Sequence, residues 1–204
     1  MPNAIVMTAY GPPEVLKWAS VPLRDPGEGQ IRIKVKAAGI SPTDLALRAG
    51  YVKEVFPLPP NAVLGFEAAG TVDAVGPGVT GTSIGDGVTA LLLGLGGYAE
   101  YALASIWTRK PDTVSWIDAA ALPSSAEAAV GVLRQLNVKS GETLLLFGGG
   151  GSVGIIATQL AVARLADGRL RLRAHQSMPM QQAAQAHRQL ETGNVHERII
   201  LTLP

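Results

Sequence analysis

The stretch Thr143–Gly154, TLLLFGGGGSVG, limits what this chain can fold into more than any other. Residues of strong strand character run into a glycine cluster, and an apolar, helix-like segment, Ile155–Ala166, follows. Within the cluster Gly149, Gly151 and Gly154 satisfy G-x-G-x-x-G, the spacing of a turn that holds dinucleotide phosphates. Such a turn uses glycine for its tightness, for the approach of backbone N–H groups to a pyrophosphate, and for close packing of helix on strand. The anion then sits at the positive end of the helix dipole. In a chain with 24 glycines the spacing alone would arise by chance; the flanking strand and helix give it meaning. Gly149, Gly151, Ser152, Val153 and Gly154 are therefore the candidate cofactor-binding residues.

Composition removes several function classes. The 204 residues are 47% hydrophobic and 16% charged, the balance of an ordered protein able to bury a core. A net charge of +1 gives no broad basic surface for nucleic acid. Cysteine is absent, which excludes disulfides, thiolate chemistry and cysteine-based zinc sites. His175, His187 and His196 have no ligand-like spacing, so no metal site is expected. The start, MPNAIVMTAYGPP, has neither the basic nor the apolar region of a signal peptide. No apolar run reaches the ~18 residues of a membrane span. A soluble, cytoplasmic protein without a membrane partner is the expectation.

From Met1 to about Thr108 short strands alternate with Gly and Pro, the punctuation of a compact β-barrel or sandwich. Ala4–Ala9, Gln30–Ala38, Ala68–Val75, Gly87–Leu92 and Tyr98–Leu103 read as strands. In Gln30–Ala38 the alternation predicts Ile31, Ile33, Val35 and Ala37 on one face, with Arg32, Lys34 and Lys36 on the other. A helix is predicted over Pro42–Ala49, with Ser41 as N-cap, Pro42 at the first position and Asp44 as the capping-box acid. Tyr51 lies just beyond it. The character changes near Pro111: Trp116–Leu122 and Ser124–Leu136 look helical before the chain enters the glycine turn. After it come a half-exposed strand, Asp167–Ala174, a helix, Gln181–Leu190, ended by Gly193, and an apolar strand, Arg198–Leu203.

The order of motifs resembles the medium-chain dehydrogenase/reductase family, in its zinc-free branch of quinone oxidoreductase-like enzymes. The matching pieces are AAGISPTDLALRAG (37–50), LGFEAAGTVDAVGPGV (64–79), GDGV (85–88), GGYAEYA (96–102), DAAALP (118–123) and GETLLLFGGGGSVG (141–154). The tail, MPMQQAAQAHRQLETG followed by ERIIL, is similar to the family's last helix and strand. The resemblance implies a GroES-like β domain for the substrate and a doubly wound Rossmann domain for NADPH or NADH. It implies hydride transfer to a small-molecule quinone or α,β-unsaturated carbonyl. Ser41, Phe66 and Glu67 stand where zinc-dependent members carry Cys, His and Glu, so zinc is not expected. Ser41 matches a polar position beside the nicotinamide and Tyr51 the rim of the substrate cleft. Ser41, Asp44 and Tyr51 are the catalytic candidates. Ala46 and Ala128 depart from the pattern, standing where some relatives carry a tyrosine and a hydroxyl.

A larger departure lies at Arg164–Asp167, where the first helix of the nucleotide domain joins almost directly to the C-terminal piece. At roughly 30 residues per βαβ unit, on the order of 100 residues of the family's pattern are absent. The expected organisation is a GroES-like domain over 1–110, a truncated Rossmann domain over 111–166, and a C-terminal helix and strand over 167–204 returning to the first domain. One alternative makes Leu170–Ala174 a replacement second strand, its arginines meeting a 2′-phosphate. Cofactor binding is expected to be weak, and the chain reads alternatively as a non-catalytic remnant or an engineered fragment. A third reading is a homodimer through the exposed strand edge at Thr143–Phe147.

Overall fold

The computed structural model describes residues 1–137, 146–163, 175–193 and 198–203. In chain order its elements are β1 (Asn3–Met7), β2 (Leu16–Ser20), β3 (Ile31–Gly39), α1 (Pro42–Ala49), β4 (Ala62–Val63), β5 (Glu67–Val75), β6 (Gly87–Leu91), β7 (Tyr101–Ala104) and β8 (Ile106–Arg109). Then follow α2 (Trp116–Ala120), α3 (Pro123–Leu136), α4 (Ser152–Ala163), β9 (His175–Pro179), α5 (Ala183–Glu191) and β10 (Arg198–Thr202).

Strand β3 is the axis of the fold. Ile31, Ile33 and Val35 are at most 2% exposed, each burial worth about 1.5–3 kcal/mol. One edge of β3 pairs antiparallel with β5 along its length, and the other is shared between β7 and β10. The resulting sheet has the order β8-β6-β5-β3-β10-β9, with β7 on β3, and a smaller sheet β2-β1-β4 lies beside it. Alternation does not persist to the end of β3. The β3–β5 register slips between Val35 and Ala37, and a bulge of this kind reverses which face the next side chains take. Ala38, not Ala37, therefore joins Ile31, Ile33 and Val35 in the main core. Ala37 packs instead with Ala69, Ile200 and the alanines of α2.

Several expectations shift at element ends. Tyr98 and Ala99 precede β7, held by backbone bonds to Leu64 and Ile5 and a bridge to Ala4. Strands β2, β8 and β9 were not legible: in LKWAS only Leu16 is buried, and its strand exists because β1 supplies the pairing. Phe147, expected to end a strand, lies in the glycine turn and is 88% exposed. The remainder of that predicted strand, residues 143–145, and the predicted strand over Asp167–Ala174 lie outside the described residues.

The C-terminal segment is integral to the core. β9 and β10 are parallel and joined through α5, and Met178, Met180, Ala183, Ala186, Ile199 and Leu201 belong to the same cluster as Ile31 and Leu64. Arg48 of α1, 1% exposed, fastens α5. Its Nε donates to His187 Nδ1 at 3.2 Å, and its other nitrogens reach the Gly11 carbonyl and the Glu191 carboxylate. Because Nδ1 accepts, the neutral imidazole carries its proton on Nε2. Burial, with the neighbouring Arg48 charge, depresses His187 to about 3. Between that value and the ordinary histidine range the unfolded chain binds the extra proton, so stability rises with pH there. Acidifying from about pH 6.5 to 4.5 should lower the melting temperature, and His187→Gln, which keeps an acceptor for Arg48, should flatten that slope. Equal slopes in both proteins would refute the assignment.

Candidate functional site

The loop between β3 and α1 delivers Ser41 to the helix N-terminus in extended backbone, and the capping box closes as the spacing predicted. The Ser41 N–H and Oγ–H both donate to Asp44 Oδ2 at 2.8 Å, and the Asp44 N–H returns to Ser41 Oγ at 3.4 Å. The Gly65 N–H occupies the other carboxyl oxygen at 3.0 Å. Asp44 is fully buried while Ser41 is half-buried, so Ser41 is the outer member of the pair. Burial raises the Asp44 carboxyl above the ordinary carboxylate range despite these donors. The Tyr98 hydroxyl lies beside Asp44, short of full hydrogen-bond geometry.

Tyr51 is elsewhere. It follows the C-terminal end of α1, whose eight residues put about 12 Å of helix between it and Ser41. It is 85% exposed, near Val55 and Phe56 in sequence, both also exposed.

A second buried acid completes the neighbourhood and was not anticipated as a working residue. Glu67 opens β5 with no exposed surface. Its Oε2 accepts from the N–H and hydroxyl of Ser124 at 2.9 and 2.8 Å, capping α3 from another strand. Its Oε1 forms an ion pair with Arg198 of β10, and Arg198 also donates to Ser125 Oγ at 2.7 Å. Burial lowers the Arg198 guanidinium to about 10, which leaves it charged at neutral pH. Gly39 makes room for the pair, since a Cβ there would lie 2.1 Å from Glu67 Oε1. One sequence signal was available: a single charge inside the apolar run LGFEAAG.

The glycine turn leads into a helix as the sequence predicted, with Phe147 inside the turn instead of a strand. Gly148 adopts φ +75°, the Gly151 N–H bonds the Gly148 carbonyl at 2.9 Å, and α4 starts at Ser152. A Cβ on Gly154 would meet the Gly148 oxygen at 2.1 Å, so only glycine lets the helix sit this close to its turn. Gly149, Gly151, Ser152, Val153 and Gly154 are thus brought together at the N-terminus of a twelve-residue helix. Among the described residues, no group of three or more His, Cys, Asp or Glu could hold a metal ion, and no helix is long and apolar enough to cross a membrane.

Comparison with known proteins agrees with this architecture. The alcohol dehydrogenase GroES-like domain matches residues 27–110. Over that domain and beyond it the chain resembles quinone oxidoreductases of the medium-chain dehydrogenase/reductase family. It is 38% identical over 167 residues to a quinone oxidoreductase of Sus scrofa, covering 79% of this chain and 50% of that protein. It is 38% identical over 166 residues to a 2-methylene-furan-3-one reductase of Solanum lycopersicum, covering 76% of this chain and 42% of that protein. A mycobacterial structure complexed with NADPH superposes with a TM-score of 0.69 at 32% identity, covering 92% of this chain and 57% of that one. The chain spans about half the length of the curated relatives it matches.

The ion pair makes a quantitative prediction. Arg198→Met leaves Glu67 buried and uncompensated and should cost about 3–5 kcal/mol of stability, much of it restored by adding Glu67→Gln. Gly39→Ala should cost about 1–3 kcal/mol by pushing the carboxylate aside. Denaturant melts of the four proteins decide both; an Arg198→Met protein as stable as the parent would show that the pair carries no weight.

Proposed function

We propose that this chain carries the reductase chemistry of its family: NAD(P)H-dependent hydride transfer to quinones or α,β-unsaturated carbonyls without zinc. The observation that carries the reading is the engagement of Glu67. Where zinc-using members of the family carry Cys, His and Glu, this chain has a hydroxyl at Ser41, a phenyl ring at Phe66, and a carboxylate already paired with Arg198 and Ser124. That donor set does not suit a metal. Quinones and enones accept hydride without a Lewis acid, so positioning and polarity suffice.

The nicotinamide cofactor supplies the hydride when bound. Gly149, Gly151, Ser152, Val153 and Gly154 would hold its pyrophosphate, the backbone N–H groups and the positive end of α4 facing the phosphates. Ser41 would stand at the reacting end, while Tyr51 would serve at the outer rim of the cleft. The domain plan that goes with this reading is the GroES-like unit over 1–110, the shortened nucleotide unit over 111–166, and the return segment over 167–204. A cytoplasmic setting accords with the cysteine-free composition.

A second reading is favoured by α4 itself. The helix carries no charged residue, yet among the residues whose burial is described, 152–161, only Ile156 and Ala157 are buried, both against α3. Val132, Leu136, Phe147 and Val153 are exposed around it. A helix without charge and with Ser152, Thr158 and Gln159 as its polar residues is more apolar than a solvent-facing helix usually is, which accords with a remnant that no longer turns over and self-associates. Fluorescence titration with NADPH separates the two. The reductase reading with a shortened nucleotide unit expects half-saturation at roughly millimolar cofactor, lost in Gly154→Ala. Absence of binding at that level, with no benzoquinone reduced, would leave the remnant reading standing. Sedimentation as a clean monomer at high concentration would remove the self-association.

A further inference from the structure

The Ser41–Asp44 pair has a direction that capping alone does not require. The groups that face the buried carboxyl are the Ser41 N–H and Oγ–H from the start of α1, the Gly65 N–H ahead of β5, the Tyr98 hydroxyl ahead of β7, and the Arg198 charge from β10. Of these only Ser41 both bonds the carboxyl through a transferable hydroxyl proton and belongs to a residue that is itself half-buried rather than buried. A proton leaving or reaching Asp44 therefore passes through Ser41.

We propose that Asp44, acting through the Ser41 hydroxyl, supplies the proton that the substrate oxygen takes up during reduction. The proposal rests on the reductase reading above. Reduction of an enone leaves, after hydride has arrived at carbon, an enolate oxygen that needs one proton. The new O–H bond forms there as the Ser41 Oγ–H bond breaks, and Ser41 regains a hydrogen from Asp44, which becomes a carboxylate. Neither transfer moves electrons between molecules. Water recharges Asp44 by the reverse route once the product has left.

The two protonation states of Asp44 set the orientation of the hydroxyl. Protonated, the acid donates into Ser41 Oγ and frees the serine hydrogen for another acceptor. Ionised, it accepts from Ser41 and turns that hydrogen inward. The burial that raises the proton affinity of Asp44 favours the first arrangement.

Infrared titration of the full chain, with its aspartate carboxyls labelled with carbon-13, tests this without cofactor. The expected result is one protonated carboxyl band that persists after the ordinary aspartates have ionised and is missing from Asp44→Asn. Its midpoint should rise in Ser41→Ala, by about threefold or more in proton affinity, because a donor to the carboxylate has gone. If Asp44→Asn does not fold, the band is assigned by its displacement in Ser41→Ala and Tyr98→Phe, which keep the carboxyl. Ionisation of Asp44 in the ordinary aspartate range would overturn the proposal, as would a midpoint unmoved in Ser41→Ala. Failure to bind NADPH would count against the reductase reading and leaves this titration interpretable.

Discussion

A carboxylate and a guanidinium shut away from water hold this molecule's parts in register. Glu67 begins the strand beside β3, caps α3, and pairs with Arg198 at the start of β10. Three elements far apart in sequence are thereby tied at one point. Neither charge could be buried alone, since the desolvation cost of each is several kcal/mol. The pair therefore specifies an arrangement more than it adds stability, and Gly39 is fixed by the space it needs.

The same logic repeats at α1. There Asp44 caps the helix from within its own first turn, and Gly65, from the loop ahead of β5, contributes a donor from outside. Both helices that border the candidate site thus begin on a buried acid, and β5 with its preceding loop touches both. Backbone N–H groups of Ser41, Gly65 and Ser124 hold the two acids, and the Arg198 side chain adds the ion pair to Glu67. Arg48 at the other end of α1 extends the arrangement to α5, so the C-terminal segment braces the helix that presents Ser41.

Local signals were legible and long-range ones were not. Ser41, Pro42 and Asp44 announce a helix start because capping is decided within four residues. The glycine turn could be read because Gly154 answers a backbone clash that nothing but glycine avoids. Ala37 was assigned to the wrong face because a bulge depends on the partner strand, which β3's own alternation does not encode. Glu67 and Arg198 could be noticed as charges among apolar residues, but not as a pair, standing 131 positions apart in the chain. Tyr51 follows α1 and is exposed, and its sequence neighbourhood alone assigns it no partner at the site.

The position of β10 has a consequence for biosynthesis. It follows every other strand in the chain, yet it lies between β3 and β9 inside the larger sheet. While the ribosome is still adding residues, β3 has its C-terminal half unpaired along one edge, and the cavity destined for Ile199 and Leu201 stands open. Closure must wait until this piece has cleared the exit tunnel. During that interval the nascent chain presents an incomplete sheet, the state in which chaperones engage most readily.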